Sequence, residues 1–126
     1  SAEPPDRRAQ VLQAAVALIE DASGSLLIRD VAQQVGTSPS TLRRYFRALG
    51  MPPKRFASIV RFRRAHAFLT NTPGATWNEV VSKFGYADQA HFVREYRRFS
   101  GTAPTRWDPR KRPVDRRMGM EDAPDD

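Results

Sequence analysis

Cysteine is missing from this 126-residue chain, which excludes a disulfide frame and any thiolate-held metal. Histidine occurs only at His66 and His91. A zinc centre and a nucleophile–base set therefore have little to be built from, and the expectation is a protein with no metal, no cofactor and no enzymatic activity. Apolar runs are only a few residues long, too short to span a bilayer, and no basic-then-apolar leader opens the chain. A soluble cytoplasmic protein without a membrane partner is expected. No stretch keeps a two-residue alternation for long, and no Asn-Gly or Asp-Gly hairpin signal occurs, so strands are not expected.

Acid is absent from the whole interval between Asp30 and Glu79, which nevertheless carries Arg43, Arg44, Arg47, Lys54, Arg55, Arg61, Arg63 and Arg64. A surface meant only for solubility works equally well with mixed signs. The interval points instead to an anionic partner: nucleic acid first, an anionic membrane surface second. The chain as a whole has a net charge of +7. From Arg106 onward six cations and six acids cancel, so the excess lies in residues 1–105. Hydrophobic residues make up 40% of the chain, enough to pack one domain or two very small ones sharing a core.

What is present reads as helix throughout. Pro4-Pro5 and Asp6 precede a helix over 7–21 with Val11, Leu12, Ala15, Leu18, Ile19 and Ala22 along one stripe, ended by Gly24. A short helix over 28–35 turns Ile28, Val31, Ala32 and Val35 inward, and Gly36 turns the chain. Ser38 caps the next helix and Pro39 opens it, with Leu42, Phe46 and Leu49 on one face. Beyond Gly50 and Pro52-Pro53 a long helix runs over 54–70. Thr76 and Glu79 form a capping box for a helix carrying Trp77, Val80, Val81 and Phe84. Gly85 turns the chain, Asp88 caps a helix reaching Phe99, and Pro104 starts a last turn with Trp107. Trp77 and Trp107 are read as core anchors. Residues 109–126 have no apolar period and are read as a disordered tail.

The chain nearly repeats itself. Ile28 through Gly36 matches Trp77 through Gly85, "SPSTLRRYF" (38–46) matches "DQAHFVREY" (88–96), and "GMPPKRF" (50–56) echoes "GTAPTRW" (101–107). The second turn is one residue longer. Each copy is a short helix, a tight glycine turn and a capped second helix, which is a helix-turn-helix. At about 100° per residue, placing Leu42 inward sets Ser40, Arg44 and Arg47 on the opposite face, flanked by Arg43 and Thr41. Placing Phe92 inward sets Ala90, Arg94 and Arg97 there, flanked by Val93, His91 and Arg98. A small residue near a helix start permits close approach to a groove, and an arginine one turn on can bridge to guanine O6/N7 or to phosphate.

In "FGYADQAHFVREYRRFSGTAP", "VAQQVGTSPSTLRRYFRALG" and "RFRRA", the chain resembles the DNA-binding domain of the AraC/XylS family of bacterial transcription regulators over about residues 8–107. The resemblance implies an all-α fold of about seven helices, two helix-turn-helix subdomains joined by a long linker helix. The expected division is an extension over 1–6, a first subdomain over 7–50, a linker helix over 51–72, a second subdomain over 73–108 and the tail. It implies sequence-specific binding of double-stranded DNA, with both second helices in successive major-groove segments. Base contacts fall on Ser40, Arg43 and Arg44 and on Gln89, Ala90, His91 and Arg94. Phosphate contacts fall on Thr41, Arg47, Thr76, Arg97 and Arg98. RNA polymerase is a candidate partner, and any dimerisation is expected through a domain not in this chain. A helix over 54–70 spans roughly 25 Å against about 34 Å for a turn of DNA, so adjacent groove segments are within its reach without dimerising.

Three positions depart from the family pattern. Leu27 stands where a Ser or Thr cap is common, so the second helix is expected to start loosely. Ala90 replaces a frequent Ser and weakens a polar contact. Asp108 follows Trp107 where a basic residue is usual. Some residues keep two readings. His91 is either a structural hydrogen-bonder or a base contact, and His66 is read as packing. The stems of Arg61, Arg63 and Arg64 can cover apolar surface, with at least one of them in an internal ion pair to Asp30 or Glu95. Two alternatives to a promoter-binding regulator stay open: a DNA-binding module of a repair or sensing fusion protein, and a degenerate helix-turn-helix that binds protein.

Overall fold

Local chemistry sets the ends of the helices. The computed structural model describes residues 5–101, and among these it contains six α-helices and no strand. Helix α1 spans Pro5–Asp21, starting earlier than expected because Pro5 lacks only a donor that would be unpaired there anyway. Asp6 then sits in the first turn, where its charge suits the helix dipole. Gly24 ends it in the left-handed region at φ 75°, its N–H donating to the Ile19 carbonyl at 2.8 Å.

The two short first helices are α2, Ile28–Gln34, and α5, Trp77–Phe84. Their starts differ as the sequence implies. At α5 the Thr76 hydroxyl accepts the Glu79 N–H at 3.1 Å and the Glu79 carboxylate accepts the Thr76 N–H at 2.9 Å. At α2 the cap is Leu27, which accepts nothing through its side chain and is 55% exposed. Leu27→Thr is therefore expected to stabilise the first half of the chain by about 1 kcal/mol. A raised melting midpoint checks this, and an unchanged or lowered one means that the free N–H groups of α2 are already satisfied.

The two second helices are α3, Pro39–Phe46, and α6, Gln89–Ser100. The Ser38 hydroxyl accepts the Thr41 N–H at 3.0 Å and the Asp88 carboxylate accepts the His91 N–H at 2.8 Å. After Phe46 the chain tightens into a three-residue turn, Arg47–Leu49. Leu49 is thereby corrected. It was expected inward with Leu42 and Phe46, but a helix of about three residues per turn breaks the 3.6-residue line, and Leu49 is 48% exposed. Tyr45 is buried with Leu42 and Phe46 instead.

Helix α4, Pro53–Asn71, is continuous, and the chain divides into two compact units between Val60 and Arg61, within it. The first core gathers Val11, Ala15 and Ile19 of α1, Val31 and Ala32 of α2, Leu42, Tyr45 and Phe46 of α3, and Ala57 and Val60 of α4. The second gathers Ala65 and Leu69 of α4, Val80 and Phe84 of α5, Tyr86, and Phe92 and Tyr96 of α6, with Trp77 packed against it. The echo thus extends to the helix preceding each pair: Val11, Ala15 and Ile19 match Arg61, Ala65 and Leu69 in spacing. The turn expected around Trp107 and the tail over 109–126 lie outside the described residues.

Candidate nucleic-acid interface

Burial of the aromatic stripe decides which side chains each second helix turns outward. In α3, Leu42, Tyr45 and Phe46 are buried, and Ser40, Arg43, Arg44 and the following Arg47 are exposed, with Thr41 partly so. In α6, Phe92, Glu95 and Tyr96 are buried, and Gln89, Ala90, Arg94, Arg97 and Arg98 are exposed. Eleven of the twelve candidate contact residues thus lie on or next to the outer faces of α3 and α6. The twelfth, Thr76, is exposed and caps α5, its hydroxyl oxygen accepting the Glu79 N–H.

These faces are rich in cations, with Arg43, Arg44 and Arg47 on one and Arg94, Arg97 and Arg98 on the other. No acid occurs in α3, and the one acid in α6, Glu95, points into the core. Among the described residues neither Arg43 nor Arg94 is held in an ion pair. Each face also begins at a helix start, where backbone N–H groups favour an anion.

The second unit contains a polar junction that underlies its outer face. Both oxygens of the buried Glu95 carboxylate are engaged by Arg61 of α4, whose Nη2 donates at 2.7 Å and Nε at 3.1 Å. The Tyr86 hydroxyl donates to the same carboxylate at 2.8 Å, and the Arg61 guanidinium lies 5.0 Å from the centre of the Tyr86 ring. Burial works to lower the Arg61 pKa, but the hydrogen bond and the charge of Glu95 outweigh it and raise it. Burial, then the Glu95 charge, pushes the Tyr86 hydroxyl far above the ordinary tyrosine value. Both groups therefore keep their protons, and the carboxylate has three donors around it. The expected internal ion pair is Arg61–Glu95; Asp30 faces Arg29 at 3.7 Å instead.

His91 stands at the edge of this junction. Its Nδ1 accepts the Ala87 N–H at 3.1 Å, which in the neutral ring leaves the proton on Nε2, 3.7 Å from Glu95 Oε1. Its ring packs edge-on to Tyr86 at 5.1 Å, and 32% of the side chain remains accessible. Gln89 is also tethered, its Nε2 donating to Asn78 Oδ1 of α5 at 3.1 Å. His66 packs as expected, stacked on Phe62 at 5.9 Å and 3.4 Å from the Tyr96 hydroxyl. The roles of Tyr86 and Asn78 were missed. Glu95 carried a usable signal, since an acid three residues after Phe92 and next to Tyr96 falls on the core side of the helix and requires a partner.

A sequence model of the helix-turn-helix domain family matches residues 31–110. Among solved structures, the chain is similar to a transcriptional regulator from Chromobacterium violaceum described among AraC-type DNA-binding domain-containing proteins. The identity is 29%, the match covers 75% of this chain and 86% of that one, and the TM-score is 0.67. It is also similar to a DNA-binding transcriptional dual regulator from Escherichia coli K-12, at 22% identity, covering 83% of this chain and 91% of that one with a TM-score of 0.64, a likeness of fold alone. No protein with a curated description matches the chain.

Proposed function

The chain belongs to the AraC-type helix-turn-helix family, and from that premise we propose that it binds double-stranded DNA sequence-specifically and regulates transcription in the bacterial cytoplasm. The observation that carries this reading is the duplicated outer face. Ser40, Arg44 and Arg47 recur as Ala90, Arg94 and Arg97, all exposed, on helices whose opposite sides build two separate cores. A single solvated helix face has no reason to recur at matched angles. In this reading α3 and α6 enter successive major-groove segments. Their first-turn residues approach the base edges, and the arginines bridge to guanine or hold phosphates.

Arg44→Ala and Arg94→Ala are each expected to weaken binding at the cognate site by about 1–3 kcal/mol and to relax base preference locally. Selection of duplexes from a random pool supplies that site, and titration across salt concentrations measures the binding. Affinity should fall steeply as salt rises, because neutralised phosphates release counterions. A pool with no enriched sequence, or binding indifferent to salt, rules the reading out. Unchanged footprints for both variants would reject the assignment of these two faces while leaving DNA binding itself intact.

A further inference from the structure

We propose that Asn78 is a positioning residue that makes Gln89 a reader of adenine, an inference that rests on the DNA-binding reading above. Gln89 is the first residue of α6 and Asn78 the second residue of α5. Their side chains meet in the 3.1 Å bond from Gln89 Nε2 to Asn78 Oδ1, and both residues are exposed. Each end of the bond is anchored by backbone chemistry. Asn78 lies between Thr76 and Glu79, which close the capping box around it. Gln89 follows Asp88, whose carboxylate fixes the first turn of α6 through the His91 N–H.

The chemistry of a primary amide turns this tether into a preference. Gln89 has two N–H donors on one nitrogen and one acceptor oxygen. Giving one N–H to Asn78 leaves the other N–H beside Oε1, a donor–acceptor pair. Adenine presents the complementary pair in the major groove, an N7 acceptor beside an N6–H donor. Glutamine is among the side chains with most rotamer freedom to lose, and holding it before the duplex arrives removes part of that cost from binding.

The first copy lacks this device. Pro39 stands at the position of Gln89, and Arg29 at that of Asn78, facing Asp30 at 3.7 Å. The adenine preference therefore belongs to the half of the site read by α6 and has no counterpart in the other half.

The test is selection from a random duplex pool with the full chain and its Gln89→Ala, Asn78→Ala and Asn78→Asp variants, followed by titration of the four base pairs at the affected position. The expected result is an A·T pair in the α6 half-site. Its preference should fall about 10-fold or more in Gln89→Ala and by about 3- to 10-fold in Asn78→Ala, with every other position unchanged. Asn78→Asp keeps the acceptor oxygen, so it should keep the preference while its added charge lowers affinity for all duplexes. An Asn78→Ala variant that retains the preference Gln89→Ala loses overturns the inference. So does one that weakens all four base pairs equally, since that marks a phosphate contact. So does a position with no dependence on Gln89. A pool without any enrichment overturns the functional reading itself, which separates the two failures.

Discussion

Arg61→Met is expected to destabilise the second unit by about 3–5 kcal/mol, the cost of breaking a buried ion pair from one side. The Glu95 side chain is 6% exposed and that of Arg61 12% exposed. Removing the guanidinium leaves a carboxylate in the core with the Tyr86 hydroxyl as its main donor. Methionine fills much of the stem's volume, so little of the loss comes from a cavity. The internal echo provides the comparison that interprets this number. Val11 and Tyr45 hold the matching positions in the first unit, both buried, so the architecture is built there with no charged side chain at either position. It follows that the ion pair is not what makes the fold possible. Adding Glu95→Leu to Arg61→Met should return a clear share of the lost stability, because the uncompensated charge is then gone. Chemical denaturation of the two single variants, the double variant and the parent closes the cycle. A single variant that costs under about 1 kcal/mol, or a double variant no better than Arg61→Met, would contradict the buried-charge argument.

The same junction explains which parts of the site could be read from the chain alone. Helix ends were legible because their causes are local. Ser38, Thr76 and Asp88 cap within three residues of themselves, and Gly24, Gly36 and Gly85 all take left-handed φ at the ends and turns assigned to them. The outward faces of α3 and α6 followed from periodicity, which needs only one correctly placed core residue per helix. Leu49 was misplaced because the periodicity itself changes at Arg47, and nothing in "RALG" announces a tighter turn. The partners of Glu95 were only half legible. An acid on a core face demands a cation, and Arg61, Arg63 and Arg64 of α4 were the nearby supply. Tyr86 lies nine residues before Glu95, in the turn ahead of α6, and only the fold shows that its hydroxyl reaches that carboxylate. His91 kept two readings for a similar reason: its ring orientation is decided by the N–H of Ala87, which the turn leaves pointing at Nδ1.

Phe92→Ala is the second large effect, expected at about 3–5 kcal/mol. Phe92 is fully buried, and its ring meets Tyr86 at 5.2 Å and Tyr96 at 5.7 Å, both edge-on. Those two contacts alone are worth about 0.5–1.5 kcal/mol each beyond the area they bury. The surrounding side chains are poorly placed to collapse into the space. Tyr86 is held by its bond to Glu95, and Tyr96 is held against Phe62 and His66. A cavity that cannot close costs the most. The first core contains none of these groups, so the loss should be local to the second unit. Amide hydrogen exchange resolves this. Amides of α6 whose exchange requires opening of the second core should exchange about two to four orders of magnitude faster, while those of α3 keep their protection. DNA binding should then weaken at the α6 half-site with every contact residue still present, because a reading helix that frays spends part of its time unable to read. Unchanged protection in α6 would mean that Phe92 does not face the core, and the assignment of Ala90, Arg94 and Arg97 to the outer face would fail with it.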